Sequence, residues 1–156
     1  MEMTTLAAFL EGIALSAVAA LGFALVFNVP RCALAYCAMG GALGFALRFW
    51  LLLAAVPLEW ATLLAASCVS FVGVYWARKL GAHPKVFTVA AIIPLIPGKS
   101  AFAAALALFQ IRSGGYSPEL HAQLVDAFLQ MSFVTASIAF GLAMPGLLWY
   151  RRKPVV

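Results

Sequence analysis

The sequence predicts an all-α, polytopic membrane protein of about five transmembrane helices, the fourth of them broken at Pro94–Gly98. Three observations carry that prediction. Of 156 residues, 65% are hydrophobic and only 10% charged, with a mean hydropathy of +1.04, more apolar surface than a soluble chain of this size can bury. Five apolar runs approach or exceed the roughly 20 residues that a helix needs to cross a bilayer. The charges between those runs also segregate by side. The whole chain, residues 1–156, therefore reads as a single integral membrane domain.

The first span covers about residues 6–29. The preceding MEMTTLAAFLEG carries no Lys or Arg, so this run reads as a retained membrane helix rather than a signal peptide. Asn28-Val29-Pro30 ends it, because proline and the residue before it disfavour helix continuation. The second span is about 33–56, closed by Val56-Pro57. Its small residues recur every four positions, at Ala33, Cys37 and Gly41, with Gly40 and Gly44 forming G-x-x-x-G. This spacing lets backbones approach closely in lipid. Gly12 with Ser16, and Ser137 with Gly141, share it. The third span, about 60–75, is the shortest. The fourth, 86–111, is VFTVAAIIPLIPGKSAFAAALALFQI. Pro94 and Pro97 each remove a backbone donor and clash with the preceding turn, so the helix breaks there. The fifth runs about 125–149. Trp60, Trp76, Trp149, Tyr36 and Tyr150 fall near span ends, where amphipathic rings anchor at the headgroups. Trp50 lies deeper, in reach of a neighbouring helix.

Alternating connections put Arg31, Arg78, Lys79, Lys85, Arg151, Arg152 and Lys153 on one side, with no acidic residue among them. The other side receives Glu2, Glu59, Glu119 and Asp126 against Arg112 alone. This asymmetry predicts an N-terminus outside and a C-terminus in the cytoplasm. The net charge of +5 is thereby accounted for by orientation, and a nucleic-acid partner is not expected.

Few polar residues remain at depth. Broken backbone in a membrane is tolerated where protein buries it or where it lines a watery cavity, and an intramembrane charge is a functional candidate by default. Lys99 stands about halfway along the fourth span. It is either satisfied by carbonyls freed around the prolines, paired with a carboxylate of another chain, or a contact for substrate. In the last case Gly98 permits close backbone approach. The helix restarting at Lys99-Ser100 then points its N–H groups into the break, a preference for a carboxylate. Arg48 either snorkels or pairs with Glu59 or Glu11, or supplies a second cationic contact. Glu11 is an interfacial carboxylate or a proton carrier. His83, in His83-Pro84-Lys85, is a turn residue or a pH-sensitive group. Substrate binding or gating thus falls on Pro94, Pro97, Gly98, Lys99, Ser100 and Arg48, and ion coupling on Glu11 and His83. Gly98-Lys99-Ser100 is not a nucleotide loop, since Ile93 stands where a P-loop needs glycine. Cys32, Cys37 and Cys68 match no zinc or redox spacing. No cofactor, no metal and no enzymatic activity are expected.

The stretch His83–Ser100, HPKVFTVAAIIPLIPGKS, with Val26-Phe27-Asn28-Val29-Pro30 and Pro145-Gly146-Leu147-Leu148-Trp149-Tyr150-Arg151-Arg152, resembles the threonine/serine exporter family. The likeness is to the small subunit of its two-component bacterial succinate exporter. The resemblance implies a secondary transporter of the bacterial inner membrane that exports small organic acids, succinate first among them, with a larger membrane subunit as partner. Higher oligomers are compatible with it. The alternatives are export of threonine- or serine-type amino acids, and a non-transporting assembly subunit whose break packs against its partner.

Overall fold

The computed structural model describes residues 3–148. Glu2, Trp149, Tyr150, Arg151, Arg152 and Lys153 lie outside the described residues, and the terminal basic cluster lies outside with them. Among the described residues the chain is helical: α1 Met3–Val26, α2 Arg31–Leu53, α3 Leu58–Leu80, α4 Lys85–Ile92, a 3₁₀ turn Ile93–Leu95, α5 Gly98–Gly114 and α6 Pro118–Leu148. Helices α1, α2, α3 and α6 are each long and apolar enough to cross a membrane. Helices α4 and α5 make a fifth candidate if counted as one interrupted span. The fold class and the broken fourth helix are as the sequence predicts.

The connections show why the helices stop. After α1, Asn28 adopts a left-handed φ of 53°; the N–H of Val29 bonds the carbonyl of Ala24 (2.9 Å) and that of Asn28 the carbonyl of Leu25 (3.0 Å). This paired closure satisfies carbonyls that a helix end leaves bare. Ala55, at φ 59°, does the same after α2, with Val56 N–H to Leu51 O and Ala55 N–H to Leu52 O, both 3.0 Å. Each closure is followed by a proline, Pro30 or Pro57, at the N-cap of the next helix, where a missing donor costs nothing.

Two expected boundaries are corrected. The third span is not short: α3 runs from Leu58 to Leu80, 23 residues, as long as α2. Hydropathy falls at Arg78 and Lys79, yet basic residues suit a helix C-terminus, and the helix continues until Gly81 turns left-handed at φ 64°. The fifth span starts earlier than residue 125. Pro118 opens α6 just after Ser117, whose Oγ accepts the N–H of Leu120 (3.4 Å) and donates to Glu119 Oε2 (2.6 Å). At about 1.5 Å per residue the 31-residue α6 is roughly 46 Å long, longer than the hydrocarbon.

The described chain forms two compact units, each with its own internal contacts: residues up to Leu95 with those from Ser137 onward, and Ile96–Ala136. The first unit is packed through small residues. Ala20, Ala24, Ala33, Cys37, Ala61, Ala65, Ala66, Ala90 and Ala91 are buried. A Cβ added at Gly41 would lie 2.6 Å from Ala20 Cβ and 2.9 Å from Ser16 O; one at Gly141 would meet Ala66 Cβ at 2.7 Å and Leu63 O at 2.9 Å. Lipid tails are as apolar as leucine, so helices associate through such close contact rather than through water exclusion. Ser70 adds an interhelical bond from Oγ to Leu142 O (2.9 Å). Tyr36 stacks edge-on against Trp76 and Phe87, and Trp50 packs on Phe9 of α1.

In the second unit, α5 and the first part of α6 flank the link 115–117. Ala104, Ala107 and Ala127 are buried there, while Phe102, Phe109, Phe128 and Phe133 are exposed.

Candidate functional site

The interruption is written in the two prolines. Pro94 cannot donate to Ala90 O, nor Pro97 to Ile93 O. Helix α4 therefore tightens into the 3₁₀ turn and ends at Leu95. Pro97 leaves helical geometry, at φ −79° and ψ 63°, and the N–H of Gly98 folds back onto Ile96 O at 2.8 Å. Helix α5 then starts at Gly98, with Ala101 N–H on Pro97 O (3.0 Å) and no side chain capping its first turn.

Leu95 is the fixed point of the break. Its side chain is 1% exposed and sits against α2 where Gly44 leaves room: a Cβ on Gly44 would come within 2.9 Å of Leu95 Cδ1 and 3.1 Å of Val69 Cγ2. One helical turn on, Arg48 Nη1 donates to Leu95 O at 2.8 Å. Residues four apart share a helix face, so α2 presents a notch for the Leu95 side chain and a cation for its carbonyl.

This arrangement corrects the expectation for Arg48, which pairs with neither Glu59 nor Glu11. The carbonyl it binds is one that would serve Lys99 N–H in a continuous helix. A Cβ at Gly98 would meet nothing within 4 Å, so its surroundings are open; the glycine packed tightly against Leu95 is Gly44.

Lys99 is exposed and Ser100 half-buried. Ser100 Oγ donates to Gln130 Oε1 on α6 at 2.6 Å, within the second unit. Sequence reasoning misses Gln130, because VDAFLQMSFV also carries Asp126 and Ser132 and nothing local singles the glutamine out. Glu11 is exposed on α1. His83 is exposed, and its Nδ1 accepts the N–H of Lys85 at 3.2 Å. It thus closes the turn that begins α4.

A second gathering lies at the start of α4. A cleft of about 320 Å³ is lined by Phe27, Asn28, Val29 and Pro30 together with Lys85, Val86, Val89 and Ala90. Another, of about 230 Å³, brings His83, Pro84 and Lys85 against Ser70, Thr88, Pro145 and Gly146. Lys85 lines both. The three sequence blocks VFNVP, HPKVF and PG thus converge on one lysine. Neither cleft includes residues 94–100. Thr88 Oγ1 is engaged with Pro84 O (3.3 Å) and Ser70 with Leu142 O, so these two hydroxyls serve the fold. Among the described residues, no three His, Cys, Asp or Glu side chains come together as metal ligands.

The profile of a family described as "Threonine/Serine exporter, ThrE" matches residues 12–148. A protein of Haemophilus influenzae described as "Uncharacterized protein" is 50% identical over 141 residues, covering 90% of this chain and 48% of the relative. The chain thus spans about half the length of the curated relative it matches. No solved structure matches it.

Proposed function

The chain belongs to the threonine/serine exporter family, and on that premise we propose that it is a subunit of a secondary transporter exporting small organic acids, with succinate the first substrate to test. The observation that carries the reading is the interruption at Ile93–Pro97 of an otherwise apolar span, with a cation, Arg48, on the carbonyl of Leu95. In secondary transporters with broken helices, half-helix N-termini point at anionic groups of the substrate, while unwound carbonyls coordinate the coupling cation. Here the N-terminus of α5 offers the N–H groups of its first turn, the Lys99 ammonium and the Ser100–Gln130 pair. Together these suit a carboxylate. Pro94, Pro97 and Gly98 gate that site. Glu11 and His83 are the titratable groups left for coupling to an ion gradient.

A larger membrane subunit is part of the proposal. The relative is about twice as long as the segment matched, and the likeness of this chain to a small exporter subunit is what supports a larger membrane partner. The family's description favours a second reading, export of threonine or serine, whose carboxylate would use the same donors. The decisive experiment is counterflow of labelled succinate against labelled threonine in vesicles holding both subunits. Lys99→Ala and Ser100→Ala are expected to slow counterflow about tenfold each with unchanged protein yield. Wild-type rates in both would leave an assembly role for the break.

The proposed location is the bacterial inner membrane, N-terminus outside and C-terminus cytoplasmic. In a background with Cys32, Cys37 and Cys68 replaced by serine, a cysteine at Ser117 is expected to react with an impermeant thiol reagent in intact cells. A cysteine at Ala82 should react only after permeabilisation. The reverse pattern would invert the topology.

A further inference from the structure

We infer that Arg48 is a built-in counter-cation for the broken span: a positioning residue whose guanidinium holds the carbonyl end of α4 where a broken-helix transporter would otherwise need a bound metal ion. The carbonyl end of a helix concentrates partial negative charge. At this end Pro94 and Pro97 have removed two intrahelical donors, and the restart at Gly98 frees Leu95 O as well. In a membrane such groups require partners from within the protein, and in interrupted helices a sodium ion is a common one. In this chain the partner is covalently attached. Arg48 Nη1 lies 2.8 Å from Leu95 O, across 47 residues of sequence.

Two features mark this as a built contact rather than a passing one. Leu95 is 1% exposed, and its side chain is seated in the notch left by Gly44, so the carbonyl has one position. Arg48 is half-buried, and it donates to this carbonyl rather than to a carboxylate. A guanidinium is always charged and carries five donors in a rigid fork. One donor on Leu95 O leaves others able to meet a carboxylate without releasing the helix end. The carbonyl end of α4 is then held whether or not substrate or a metal ion is bound. This inference rests on the transport reading for its functional consequence, but not for the contact itself.

The test uses the full chain with two readouts. Arg48→Ala, reconstituted with the partner subunit, is expected to lose about tenfold or more of its succinate counterflow, the effect of leaving a buried carbonyl unpartnered. Millimolar guanidinium is expected to restore much of it, and sodium at the same concentration none. In parallel, the melting temperature of the purified Arg48→Ala chain in detergent is expected to rise with guanidinium and not with sodium. Should Arg48→Ala fail to accumulate, Arg48→Lys and Arg48→Gln make the same comparison, and a cation requirement predicts that lysine melts higher than glutamine. Wild-type melting in Arg48→Ala, equal rescue by sodium, or glutamine matching lysine would overturn the assignment. Absence of counterflow in the wild type would instead overturn the transport reading, and the melting comparison would still decide the role of Arg48.

Discussion

A Pro94→Ala, Pro97→Ala double variant is expected to fold, insert and no longer transport. The two substitutions return N–H groups to Ala90 O and Ile93 O, and a proline in a helix interior costs about 3 kcal/mol relative to alanine. Removing both therefore favours one continuous helix from Lys85 to Gly114. Leu95 O would then accept the N–H of Lys99, and Arg48 would lose its acceptor. The first-turn N–H groups of α5 would be consumed inside the helix, which removes the proposed carboxylate site. Counterflow should fall by about a hundredfold, the scale on which misplaced binding groups act. Helix content by circular dichroism should be unchanged or slightly higher. Wild-type transport in this variant would remove the interruption from the mechanism.

The largest expected effect on the fold is at Gly41. Even the first carbon of a side chain would lie 2.6 Å from Ala20 Cβ and 2.9 Å from the backbone oxygen of Ser16. A flexible side-chain tip can move aside, but a backbone oxygen in the middle of α1 cannot. Gly41→Leu has to push α1 away from α2, and the cost is about 3 kcal/mol or more. The expected result is little monodisperse protein by gel filtration. Gly22→Leu serves as the control, because a Cβ at Gly22 meets nothing within 4 Å. Equal yields from the two would show that the α1–α2 contact does not limit stability.

Much of this architecture is legible in the sequence, and the failures have physical causes. Apolar runs and prolines report directly on spans and breaks, because lipid forces backbone groups to pair within a segment. The four-residue spacing of small residues likewise reports where helices touch, at Gly41 and Gly141. The length of α3 is misread because hydropathy stops at Arg78 and Lys79 whereas hydrogen bonding stops at Gly81. The partner of Arg48 is illegible for a simpler reason. It is a backbone carbonyl 47 residues away, and a carbonyl has no letter in the sequence, so the nearest carboxylates stand in its place. The glycine that makes room for Leu95 is Gly44 on another helix, a long-range contact that the local pattern around the break does not show. Gln130 reads as one polar residue in a long apolar helix, and only its bond with Ser100 distinguishes it.

The links that follow α1 and α2 have a mechanical consequence. In Phe27–Pro30 and Ala54–Pro57 every residue with a backbone N–H has it bonded to the preceding helix, and the prolines have none to give. In each link only the ψ of the residue before the proline turns without breaking one of these bonds, and the proline ring narrows that freedom too. They are rivets, not hinges. Helices α1, α2 and α3 are therefore closely coupled in orientation, and the swing of the proposed transport cycle is expected elsewhere in the chain.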